Sequence, residues 1–240
     1  MKKEVSMDER FSFISSGKKG LAQLSLQSVA IDPALKNIEA EGGRMMLDVF
    51  RGDKISKVVF SVIEVSSLSL AEQSILIWPG DGYDVPVFFC NLTQMPGMSF
   101  HIFDLIPVMD LVVWPRYGEK YLAGLPELRK KSAEHLKEGI AEKDFELTSP
   151  VAWTFSPYRI LLKLTDEGVS RIAPVMEEYC RAYINLWQKA EPVRQPDEDA
   201  FCKRKKEALR KLMKENDPGY PIMVGIFGEE NTKKQFNIVF

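Results

Sequence analysis

The sequence predicts an α+β protein, with an antiparallel sheet built by its first half and helices on both sheet faces. Three observations support this. Period-two stretches separated by Gly, Pro and Asp turns fill residues 44–105, and helical periodicity takes over after residue 126. The 240 residues, 45% of them hydrophobic, can also bury a full core. One domain over residues 1–240 is expected, with a three-layer arrangement within its reach.

The elements follow in order. "RMMLDVF" (44–50) and "KISKVVFSVIEVS" (54–66) flank Arg51-Gly52-Asp53, a tight hairpin signal. "SILIWP" (74–79), "VPVFFCNL" (85–92) and "MSFHIFDL" (98–105) continue the meander, and short connections between sequential strands favour antiparallel pairing. "PELRKKSAEHLKEGIAEK" (126–143) reads as a helix and "RILLKL" (159–164) as a returning strand. Ile172, Val175, Met176, Tyr179, Tyr183 and Leu186 recur at helical spacing, with Ser170 as the expected N-cap, which makes Pro174 tolerable in the first turn. A polar loop (191–199) precedes a helix over 200–215, which "NDPGYPIM" (216–223) breaks.

Composition excludes several function classes. A net charge of −2 argues against a dedicated nucleic-acid binder, which needs surplus Lys and Arg to neutralise phosphates. The start, "MKKEVSMDERFSFISS", places acids where a signal peptide has its apolar core, and no long uncharged apolar run follows. A soluble, cytoplasmic protein without membrane insertion is therefore expected. Cys90, Cys180 and Cys202 are far apart and odd in number, as free thiols in a reducing compartment would be. The two histidines, His101 and His135, lack ligand partners at metal spacing, and no phosphate-cradling or dinucleotide-binding loop occurs. An enzyme of this composition works with carboxylates and carries no tightly bound redox group.

Asp104 is the first candidate, a carboxylate among Phe100, Ile102, Phe103, Leu105 and Ile106. Burial there raises its pKa and makes it a proton donor, or else it caps a turn at the end of the strand. His101, an odd number of residues away, falls on the other strand face as a structural histidine. Asp217 in "ENDPGYP" is an Asx-Pro turn unless a partner lies across a pocket. Asn91, next to Cys90, either binds a ligand or marks the end of a strand. Lys163 either pairs with a ligand carboxylate or snorkels at a sheet edge. Lys203, Lys206, Arg210 and Lys214 are expected on one helix face, either simply solvated or docking an acidic partner or capturing a carboxylate substrate.

Several of these residues fall into one pattern. "FDLIPVMDLVVWPRYGEKY" resembles red chlorophyll catabolite reductase, whose fold group includes the ferredoxin-dependent bilin reductases. "PVFFCNL" (86–92) is similar to a bilin-reductase strand Pro-x-Phe-Gly-Cys-Asp, and "SPYRILLKL" (156–164) to a Ser-Pro strand that ends in a basic residue. "ENDPGYPIMVGIFG" (215–228) resembles that family's Asn-Asp segment, and the four matches keep their order over residues 84–228. The first 40 residues carry no match.

The resemblance implies a three-layer α/β/α sandwich with a central antiparallel β-sheet, holding an open-chain tetrapyrrole such as biliverdin between sheet and C-terminal helices. It also implies reduced ferredoxin as the one-electron donor and no metal or other tightly bound cofactor in the reductase. The conjugated substrate itself carries the radical, while the protein supplies protons and orientation. Carried over by motif, Asp104 is the proton donor beneath the bilin and Asp217 a second donor or orienting acid. Phe88, Cys90, Asn91 and Asn216 contact the substrate, and Lys163 replaces an Arg as partner of a propionate. The helix with Lys203, Lys206, Arg210 and Lys214 docks ferredoxin. The same resemblance leaves two alternatives, reduction of a chlorophyll catabolite and non-catalytic bilin binding.

Overall fold

A computed structural model describes residues 11–240; the stretch up to residue 10 lies outside them. The chain opens with α1 (Ser12–Gly20), a short β1 (Gln27–Ser28), α2 (Pro33–Lys36) and β2 (Asn37–Ala40). Five long strands follow, β3 (Gly43–Gly52), β4 (Ile55–Val65), β5 (Leu70–Pro79), β6 (Val87–Met95) and β7 (Met98–Ile106). Then come α3 (Pro115–Tyr121), α4 (Leu125–Leu136), β8 (Ile140–Lys143) and β9 (Ile160–Leu164). The chain ends in α5 (Asp166–Ser170), α6 (Ile172–Gln188), α7 (Pro196–Glu215), α8 (Tyr220–Phe227) and α9 (Glu229–Val239).

All pairings in the sheet are antiparallel. Its order is β1-β3-β4-β5-β6-β7-β9-β8, with β2 also on β3. The strand meander read from the sequence thus matches the central five strands, with β5 starting four residues earlier than its apolar segment, β6 shifted by two to three residues and the other bounds within two. The expected helix over 126–143 is shorter: it stops at Leu136, and Ile140–Lys143 is an edge strand paired with β9. Gly139 and Gly168 cause the break, because a Cβ on Gly139 would meet the Gly168 Cα at 2.2 Å. A helix carrying side chains could not make this approach.

Side chains alternate between two helical layers. On one face, α1 and α4 pack on α6, whose stripe Ile172, Val175, Met176, Tyr179 and Tyr183 is buried as its spacing predicted. Its expected cap differs: Arg171 occupies the N-cap without a side-chain bond, while Thr165 caps α5. Tyr179 stacks on Phe103 (centroids 3.8 Å) and His101 (5.8 Å), and Phe88 meets Tyr183 edge-on. The imidazole, buried with its Nδ1 against the Asn91 carbonyl, is structural; burial pushes its pKa down to about 4. The opposite face is covered by the C-terminal part of α7 with α8 and α9.

Candidate active site

Transverse rows of side chains across the second sheet face form the floor of a cavity. In register, Leu47, Ser61, Ser74, Asn91 and Ile102 make one row over five strands, and all five line the cavity. Ser61 and Ser74 share a hydrogen bond (2.6 Å), and the Thr93 hydroxyl donates to Asn91 Oδ1 (3.0 Å). The next row, two residues along each strand, sets Ile63, Glu72 and Thr93 side by side. Met213 of α7, Met223 of α8 and Phe236 of α9 roof the space, about 330 Å³ and mostly apolar. That is the size and character of a small-molecule site.

Two acids line it. Asp217 hangs from the turn between α7 and α8, where its Oδ1 accepts the Gly219 N–H (2.8 Å). It is therefore both the Asx turn its sequence suggested and a cavity residue. Burial raises its pKa, against the lowering effect of that N–H. Glu72 rises from β5; burial, then repulsion from Asp217, push its carboxyl up to about 7, although Asn91 and Thr93 hydrogen-bond it. Among the described residues, Glu72 and Asp217 are the ionisable side chains lining the cavity, and no Lys or Arg joins them.

Asp104 is placed differently from its expected role. It lies on the cavity-side face but does not line the cavity. The Ser156 N–H donates to its Oδ2 (2.6 Å), its Oδ1 and the Ser156 hydroxyl lie 2.5 Å apart, and the residue has no exposed surface. Phe89, its partner across β6–β7, stacks on Phe155 (6.0 Å), and these two rings line the cavity instead. Desolvation raises Asp104 to about 6 despite the two Ser156 bonds. Its geometry is that of an anchor for the 150–156 segment, which walls the cavity through Val151, Ala152 and Phe155.

The other sequence candidates separate. Asn91 lines the cavity, whereas Cys90 and Phe88, on the alternate positions of β6, point into the α6 layer, Cys90 towards Cys180. Asn216 closes α7, its amide on the Leu212 carbonyl and its own carbonyl accepting from Ser149 (2.8 Å). Lys163 lies outside the cavity, bonded to Glu142 of the edge strand and near the rings of Phe100 and Phe145.

The expected basic face of α7 also needs correction. Its inward stripe is Cys202, Lys206, Leu209 and Met213, so Lys206 is buried, with its ammonium on the Gly80 (2.9 Å) and Tyr83 (3.3 Å) carbonyls. Arg210 lies over the Trp78 ring (4.7 Å), Lys214 bonds Asn237, and Lys203 pairs with Asp199 (2.8 Å). The exposed cations of α7 are Lys203, Arg204 and Lys211. Among the described residues there is no cluster of three or more His, Cys, Asp or Glu able to hold a metal, and no helix is long and apolar enough to cross a membrane.

Glu72, Ser61 and Ser74 were missed. The apolar segment read as β5 starts at Ser74, four residues after the strand's first residue, Leu70. Extending the period-two alternation back from Leu76 through Ser74 places Glu72 on the same face, and the hairpin register then sets it opposite Thr93.

Fold and site together define an α+β sandwich that encloses an apolar, acid-bearing ligand cavity between its sheet and C-terminal helices. The chain belongs to the ferredoxin-dependent bilin reductase family, whose model matches residues 17–239. It is similar to phycoerythrobilin:ferredoxin oxidoreductases. The identity is 27% over 162 residues for that of Gloeobacter violaceus, covering 66% of this chain and 63% of the relative. For one from Prochlorococcus marinus it is 25% over 175 residues, covering 70% and 66%. The matched region thus spans somewhat under two thirds of these relatives. The fold is that of tomato phytochromobilin synthase, solved in complex with biliverdin, with a TM-score of 0.76 at 19% identity over 94% of this chain and 81% of that one.

Proposed function

We propose that the protein reduces an open-chain tetrapyrrole of the biliverdin type, taking electrons singly from reduced ferredoxin. The observation that carries this reading is the cavity: apolar walls suited to a conjugated ligand, two acids, and no cation among the described lining residues. Such a site favours a ligand that offers N–H donors inward and keeps its own carboxylates at the mouth. Family membership supports the electron donor, and the curated relatives support the bilin.

The ligand lies across the row Ser61, Ser74 and Asn91, with Asn91 as a hydrogen-bonding floor. Asp217 accepts from pyrrole N–H groups; the Gly219 N–H stabilises it as the ionised acceptor. The Asp104–Ser156 anchor holds the Phe155 wall, and Phe89 and Phe155 exclude water on that side. Each electron that enters the ligand raises its basicity, and a proton follows from a cavity acid. The exposed cations Lys203, Arg204 and Lys211 form the surface an acidic ferredoxin approaches.

Anaerobic absorbance spectra with biliverdin, before and after reduced ferredoxin is added, test this reading. A ferredoxin-dependent shift to a reduced bilin supports it. Tight binding with an unchanged spectrum would replace it with a carrier role, and the absence of binding would remove the bilin altogether.

A further inference from the structure

We propose that Glu72 is the residue that protonates the ligand, a proton donor set one row away from the polar floor. The inference rests on the reading above and names the group that delivers hydrogen. Ser61, Ser74 and Asn91 cannot supply a proton at neutral pH, and Asp104 is sealed behind Phe89 and Phe155. Cross-strand neighbours enclose Glu72 on the sheet: Ile63 on β4, and Asn91 and Thr93 on β6. From the roof it faces Asp217 of the α7–α8 turn and Gln235 of α9, whose amide is bonded to the Leu35 carbonyl (2.9 Å).

The division of labour follows from the two environments. Two carboxylates in one apolar cavity, with no cation among the described lining residues, cannot both ionise cheaply, so one keeps its proton. Asp217 has a fixed backbone donor that favours its anion. Glu72 has a hydroxyl and an amide, which can reorient to serve either state, so it holds the proton.

The step balances. One reduced ferredoxin is oxidised and gives an electron to the ligand, forming its radical anion. The Glu72 O–H bond breaks, the proton forms a C–H bond on the ligand, and the electron pair stays on the Glu72 carboxylate. A second electron from a second ferredoxin and a proton from water complete the reduction of one double bond. Solvent then reprotonates Glu72 through the mouth of the cavity.

Glu72→Gln and Glu72→Asp, compared with the unaltered protein, test the proposal by biliverdin titration and by single-turnover reduction across pH 5.5–8.5. Glu72→Gln is expected to bind pigment within about threefold of the original affinity. It should lose roughly 10²- to 10⁴-fold in rate and accumulate the radical, visible by electron paramagnetic resonance. The unaltered rate should fall as pH rises through about 7, because the protonated acid is the active form, and Glu72→Gln should lack that limb. Glu72→Asp should keep a limb. Infrared difference spectra of the ligand-free protein should show a protonated carboxyl at neutral pH that disappears in Glu72→Gln.

Equal rates and pH profiles in Glu72→Gln would overturn the donor role, and so would loss of pigment binding in that variant. Absence of turnover in the unaltered protein would overturn the function proposed above, and the donor role with it. The two failures are therefore separable. Should Glu72→Gln not fold, the Glu72→Asp pH profile decides: a limb displaced from that of the unaltered protein supports the donor role, and an identical profile and rate overturn it.

Discussion

At the scale of residues, most buried polar groups here are read only from their partners. Lys206 looks like a docking cation in the sequence, yet its ammonium is held by two carbonyls of the β5–β6 connection. Lys206→Met should cost about 1–3 kcal/mol in denaturant unfolding, since it strands those acceptors, while leaving affinity for the proposed partner, ferredoxin, within twofold. A tenfold loss of that affinity with unchanged stability would show instead that the side chain reaches the partner. Asp217→Asn keeps the turn but removes the anion, and the proposed role predicts roughly tenfold weaker pigment binding by absorbance titration. Unchanged affinity would leave Asp217 a turn residue alone.

At the scale of elements, the tightest constraint is the contact between Gly139 and Gly168. A Cβ on Gly168 would sit 2.5 Å from the Gly139 carbonyl oxygen, so Gly168→Ala should destabilise by about 1–3 kcal/mol, seen as a lower thermal midpoint. An unshifted midpoint would mean that β8 moves off without penalty. This contact also explains where reading the sequence fell short. Alternation and turns identified β3 to β7 because those strands are wide, buried and joined by short hairpins. "EGIAEK" lost its strand because its pairing with β9 is a distant event that local helical spacing cannot report. "YPIMVGIF" carries no amphipathic stripe, so α8 was read only as a break. The α7 face was misassigned because four cations at helical spacing fit a solvated stripe as well as a straddled core. Asn91 and Asp217 were legible in the cavity, whereas Cys90 and Phe88 sit one residue out of phase with it.

At the scale of the whole molecule, the buried titrating groups set a pH dependence. Asp104, raised to about 6 from 3.8, contributes stability that is full below pH 3.8 and lost as pH rises through about 6. Glu72 and Asp217, also raised, act in the same sense. His101, lowered to about 4, opposes them: its neutral buried state costs stability below pH 6.5, and that cost disappears as pH rises through this value. Asp104→Asn isolates one component. Relative to the unaltered protein, the variant should gain roughly 3 kcal/mol between pH 3.5 and 7.5, measured by urea unfolding. A pH-independent difference would show that Asp104 titrates normally.

The absence of a cation among the described lining residues bears on which pigments the proposed activity can tell apart. A pocket that grips carboxylates acts as a filter for free acids, whereas the function proposed above makes this one sort by planarity and by the number of N–H groups. Biliverdin dimethyl ester should therefore compete with biliverdin within about threefold. If the ester competes more than tenfold less well, some cation reaches the pigment from beyond the lining. Close competition would give the protein a wider repertoire of esterified and conjugated pigments, set by what other enzymes leave attached to the rim of the molecule.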